Sequence, residues 1–173
     1  MSVKKYLTLA KKKLFRLNRS ITGNGLRKTL FYVKKEFPRF KIKSLKSSTR
    51  VFDWKIPFEW NIKEAYVMDK NHKRIIDFKK NNLHIVSYST PCVKKLKRDE
   101  LIKKIHSLPK APNAIPYVTS YYKNYWGFCD TETNKRKLIK KYDKNDVFKI
   151  VIDSKFKRNG NLNYGELILK GKS

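Results

Sequence analysis

The chain has 173 residues, 40% hydrophobic and 13% aromatic, which suits one domain, or one domain with an insert, and excludes a wholly disordered chain. Forty-three basic residues against fourteen acidic ones give a formal charge of +29. No stretch reaches the ~18–20 apolar residues of a membrane helix, and Met1–Leu14 lacks the apolar segment of a secretory signal, so with two distant cysteines, Cys92 and Cys129, the expected setting is reducing and cytoplasmic.

Val3, Tyr6, Leu7, Ala10, Leu14 and Leu17 recur at helical spacing and predict a basic amphipathic helix over 3–17. Gly23-Asn24-Gly25 breaks the chain, and a second helix is expected from Gly25 to Phe37, stopped by Pro38. Phe40, Ile42, Leu45, Val51 and Phe52 alternate loosely, as strands do. Short strands are expected at 65–68, 74–78 and 83–88, separated by Asp69-Lys70-Asn71 and Lys80-Asn81-Asn82, with Pro91 ending the run. Leu101, Ile102, Ile105 and Leu108 predict a helix over 98–108, broken by Pro109 and Pro112. Tyr117–Phe128 reads as strand and turn. Residues 146–154 and 161–169 read as a hairpin around Asn159-Gly160.

The charge is uneven. Residues 1–50 hold 16 basic residues and one acid, Glu36. This region is a plausible polyanion-facing patch, with Arg19, Arg27 and Lys28 as candidate anion-facing side chains. Against nucleic acid stands the excess of lysine, 34 of the 43 basic residues, since arginine is the usual bidentate reader of phosphate and bases.

Few residues carry catalytic signatures. His72, His84 and His106 have no second His, Cys or carboxylate at a metal-ligand spacing. Lys28 stands where a dinucleotide fingerprint needs its third glycine, so Gly23 and Gly25 read as backbone punctuation. Cys129 has no base nearby in sequence and reads as a buried structural thiol. Six aromatic residues crowd 117–128, either as core or as a wall for a ligand.

Several phrases together are specific: Arg19–Arg27; Val51-Phe52-Asp53-Trp54-Lys55-Ile56-Pro57 with Glu59-Trp60-Asn61-Ile62; Asn81-Asn82-Leu83-His84 with Tyr88-Ser89-Thr90-Pro91; Ala114–Tyr122; Trp126-Gly127-Phe128-Cys129; and Leu162-Asn163-Tyr164-Gly165-Glu166-Leu167. In this order they resemble the N-terminal part of a bacterial zinc-aminopeptidase-like family, from about Leu14 to Leu169. Arg16 and Asn18 depart from the Pro and Cys of that pattern. The resemblance implies an α+β fold: 1–50 as helices and first strand of a partial α/β peptidase-type core, 51–149 as an inserted β-rich domain, and 150–173 as a hairpin returning to the core. It also implies that the zinc ligands (a Thr-His…His-Pro stretch and then Asp) lie beyond Ser173. The chain would then hold no catalytic or metal residue, would be inactive alone, and could partner the missing C-terminal half. Tyr117, Tyr121, Tyr122 and Trp126 are then candidates for a wall near substrate or the domain junction. The alternative is a basic, non-catalytic module for nucleic acid or another polyanion.

Overall fold

The computed structural model describes residues 3–171 and has an α+β fold. The chain forms two compact units, one of residues up to Asn61 together with those from Phe156, the other Ile62–Lys155.

In the first unit, helix α1 (Val3–Leu9) runs into a π-helical turn, Ala10–Leu14, closed by the Phe15 amide on the Ala10 carbonyl at 2.9 Å. Helix α2 (Asn24–Glu36) ends before Pro38, with the Phe37 amide bonded to Val33. Tyr6 stacks on Phe37 at 5.8 Å and Lys5 pairs with Glu36, which ties α1 to the end of α2. Neither helix buries a residue fully. Strand β1 (Lys41–Lys46) pairs antiparallel with β10 (Asn161–Glu166), setting Leu45 opposite Leu162. Strands β2 (Arg50–Val51) and β3 (Trp54–Lys55) form a small hairpin whose tip holds Phe52 at φ 53°.

The second unit holds most of a four-stranded sheet in the order β5-β4-β9-β6, with β4 Glu59–Met68, β5 Arg74–Asp77, β6 Cys92–Lys97 and β9 Val147–Lys157; Glu59–Asn61 and Phe156–Lys157 are counted in the first unit. Alternate residues of β9, namely Phe148, Ile150 and Ile152, are buried, as the period of a one-faced strand requires. Ala65, Val67 and Ile76 join them from β4 and β5. Helix α3 (Arg98–Ile102) is capped by Glu100 on the Lys97 amide. Strands β7 (Ile105–His106) and β8 (Phe128–Cys129) pair in parallel, and helix α4 (Glu132–Lys141) is capped by Thr131. Tyr142, just past α4, donates its hydroxyl to buried Asp69 at 2.7 Å.

Four expectations need correction. The helix expected over 98–108 stops at Ile102, because Ile105 and His106 pair with Phe128 and Cys129. The strand expected at 83–88 is a 3-10 turn, Asn82–His84, followed by single bridges from Ile85 to Phe128 and Ser87 to Thr119. β9 and β10 are joined at Asn159-Gly160 but do not form a hairpin ladder: β10 pairs with β1, while β9 lies between β4 and β6. Pro91 does not end the strands, since β6 begins at Cys92.

Candidate functional site

Of the three candidate anion-facing residues, Arg19 and Lys28 are exposed, and Arg27 is turned inward. Its guanidinium grips Glu59 through two bonds of 2.9 and 2.7 Å and also reaches Asn24 and Asn163. Asn61 and the Asn161 amide donate to the same carboxylate. The Arg27 bonds, aided by those two donors and opposed by burial, hold Glu59 down to a pKa of about 2. Two glycines make this arrangement possible. Gly23 has φ 91°, and a side chain there would strike the Trp60 carbonyl. A Cβ on Gly160 would strike that of Glu59. The Gly-Asn-Gly sequence thus serves helix entry and an internal ion pair.

The four aromatic residues proposed as a wall take different positions. Tyr117 and Tyr122 are exposed, at 55% and 65%. Tyr121 is half-buried, its ring 5.0 Å from and nearly perpendicular to that of buried Tyr88. Tyr88 itself has φ 67°, a left-handed conformation uncommon for so large a residue. Although over half of Tyr117 is exposed, partial desolvation of its phenol pushes the pKa up, opposed by a bond with Ser87 and aided by Tyr121. Trp126 is largely buried and forms part of the wall of a cavity of about 540 Å³. Beside it, Tyr125 shares a 2.8 Å hydrogen bond with His106 Nε2. Lys104 and Lys94 extend over these rings, with Lys104 Nζ 4.6 Å from the Tyr125 centroid and 5.1 Å from that of Trp126, and Lys94 Nζ 5.9 Å from Trp126. Burial lowers the His106 pKa, and Lys135 and Lys104 lower it further.

The other histidines and Cys129 stand apart from this cavity. His84 Nδ1 lies 2.8 Å from the Cys129 carbonyl; a carbonyl only accepts, so Nδ1 carries the proton. Cys129 is fully buried and its thiol is pushed up to about 12, which makes it a poor nucleophile. His72 is exposed at φ 60° in the turn after Asp69. Among the described residues, no group of three or more His, Cys, Asp or Glu side chains could share a metal ion. The zinc implied by the resemblance therefore finds no ligand set among the described residues. No helix among the described residues is long and apolar enough to cross a membrane. Sequence reasoning passed over Lys94 and Lys104, two lysines among 34, and only spatial proximity marks them out.

Fold and site define an α+β protein with a strongly basic helical unit and a β-rich unit bearing an aromatic, lysine-lined cavity. The chain belongs to the DUF2172 family, a domain of unknown function whose family model matches residues 59–155. It is 46% identical over 158 residues to a Clostridium acetobutylicum protein named "putative polysaccharide biosynthesis protein with aminopeptidase-like domain". That alignment takes in 91% of this chain and 35% of the relative. A crystal structure described as a "putative peptidase" from the same organism superposes with a TM-score of 0.79 at 42% identity, covering 94% of this chain and 39% of that one. The chain thus spans little more than a third of either relative, and both bear peptidase-type names.

Proposed function

We propose that this chain is the accessory, N-terminal part of an aminopeptidase-like protein and does not itself hydrolyse peptides. The observation that carries this reading is 46% identity, sustained over 91% of the chain, to a protein named for an aminopeptidase-like domain. In this reading, the zinc ligands belong to residues outside the chain, and its partner is the peptidase portion that carries them. The inserted β-rich domain is residues 51–149, and Tyr117, Tyr121, Tyr122 and Trp126 contribute a wall near substrate or the domain junction. The setting is the cytoplasm.

The test is an assay of the purified chain with aminoacyl p-nitroanilides and added zinc. Turnover no higher than a zinc-only blank, with no stoichiometric zinc uptake, is expected. Zinc-dependent turnover abolished by a chelator would overturn the reading.

A second reading, a free-standing basic module for polyanions, draws on the 16 basic residues against one acid in 1–50. Its signature is a steep fall in nucleic-acid affinity with salt, because bound lysines release counterions. Binding that is absent or indifferent to salt eliminates it.

A further inference from the structure

The cavity beside Trp126 has a chemical character that neither the peptidase reading nor the family assignment specifies. Its volume of about 540 Å³ falls in the usual range for small-molecule sites. Lys94 and Lys104 line it, together with Pro91, Cys92, Tyr125 and Trp126, and no carboxylate does. Neither lysine belongs to an ion pair among the described residues. Two ammonium groups are thus held near one indole with nothing negative in the wall to offset them. A concave site lined by one sign of charge concentrates counter-ions.

The wall is also fixed in advance. Thr90 bonds the Tyr125 carbonyl through its amide at 2.9 Å and its hydroxyl at 3.3 Å. The Phe128 amide bonds the Lys104 carbonyl at 2.8 Å, and Gly127 packs so closely that an added Cβ would lie 3.0 Å from that carbonyl oxygen. Tyr125 is anchored through its hydroxyl to His106. A pre-formed wall lowers the ordering cost of binding.

We propose that this cavity binds a small organic oxyanion, a carboxylate or phosphate ester, with the anionic group between Lys94 and Lys104 and its carbon body against Pro91, Tyr125 and Trp126. Charge-assisted bonds to the two ammonium groups hold the anion, and the rings exclude water from its body. The proposal does not depend on the peptidase reading.

Calorimetric titration of the full chain tests it, with benzoate, phenyl phosphate, glucuronate and glucose 6-phosphate as anionic probes. Benzyl alcohol, glucose and inorganic phosphate are the controls. At least one organic anion is expected to bind at one site, with its neutral counterpart at least tenfold weaker. Binding only by the aromatic pair, or only by the sugar pair, supports the proposal and identifies the body. Lys94→Gln and Lys104→Gln are each expected to weaken that binding about tenfold while leaving the circular dichroism spectrum and melting temperature unchanged. Lys123→Gln serves as an exposed control with no expected effect. Failure of every organic anion to bind overturns the proposal. So do undiminished binding by both folded lysine variants, equal binding by the neutral counterparts, and binding by inorganic phosphate as tight as by the best organic anion.

Discussion

Replacing Glu59 with Gln removes one charge from the first unit while preserving the shape of the side chain. The Glu59 side chain is 3% exposed, so water screens it little, whereas that of Arg27 is 34% exposed. The wild-type carboxylate receives two bonds from Arg27, one from Asn61 and one from the Asn161 amide. Together these lower its pKa from 4.5 to about 2. At about 1.4 kcal/mol per unit, this corresponds to roughly 3 kcal/mol of folding stability at neutral pH. Because the folded-state value lies below the ordinary one, that stabilisation is fully present above pH 4.5 and is lost as pH falls towards 2. Urea denaturation followed by tryptophan fluorescence should show Glu59→Gln about 3 kcal/mol less stable at pH 7. The gap between the proteins should narrow steadily below pH 4.5, because protonation takes from the wild type what the variant already lacks. A gap of the same size at pH 7 and pH 2.5 would mean that the carboxylate is not held ionised by the ion pair, and the reasoning would fail.

Other consequences are more local. Tyr142→Phe deletes the 2.7 Å bond to buried Asp69, and a loss of about 1–3 kcal/mol is expected in thermal or urea denaturation; a neutral result would show that Asp69 is satisfied by its backbone donors. Phe52, 92% exposed in a left-handed conformation at the β2–β3 tip, should be improved upon by Gly or Asn, with stability rising by about 0.5–1 kcal/mol in the same assay. In the native protein, a disulfide reagent should modify half-buried Cys92 slowly and leave Cys129 unmodified until urea is added; rapid double labelling at neutral pH would contradict the burial that raises both thiols.

Local chemistry was the most legible part of the sequence. Pro38 did end α2, and the apolar alternation around Ile150 and Ile152 did mark a strand. Partner choice was hidden. Asn159-Gly160 signals a tight reversal, and the chain does reverse there, yet β10 pairs with β1, more than a hundred residues away in sequence. A turn motif specifies local dihedral angles and says nothing of which strand lies next to which. Leu108 continues the apolar spacing of 98–105, but tertiary pairing of Ile105 with Phe128 overrides that pattern. Lys94 and Lys104 stand ten residues apart with no motif between them, so the cavity they line was invisible in one dimension. Arg27 could be marked as a cation from sequence, but its neutralisation by Glu59 depends on strand β4 arriving beside α2.

The correspondence between the family match, 59–155, and the compact unit Ile62–Lys155 carries an implication for folding. The core residues Ala65, Val67, Ile76, Val86, Leu101, Phe128, Phe148, Ile150 and Ile152 all lie inside that span. So do both partners of the Tyr142–Asp69 bond and of the β6–β9 ladder. Its first and last strands, β4 and β9, are neighbours in one sheet, and the excised segment keeps all of β4 and all of β9 except Phe156 and Lys157. Residues 59–155 made alone should therefore unfold in one cooperative transition and retain slow amide exchange in β4, β6 and β9. The first unit is built differently: neither of its helices buries a residue fully, and its β1–β10 ladder has only two strands. Two-stranded ladders are marginal without further cover. In the whole chain, exchange in β1 and β10 should accordingly run faster than in β4 and β9. Equal protection in both ladders would show that the first unit draws comparable stability from its own contacts, and the picture of one autonomous module carrying a less supported one would have to be abandoned.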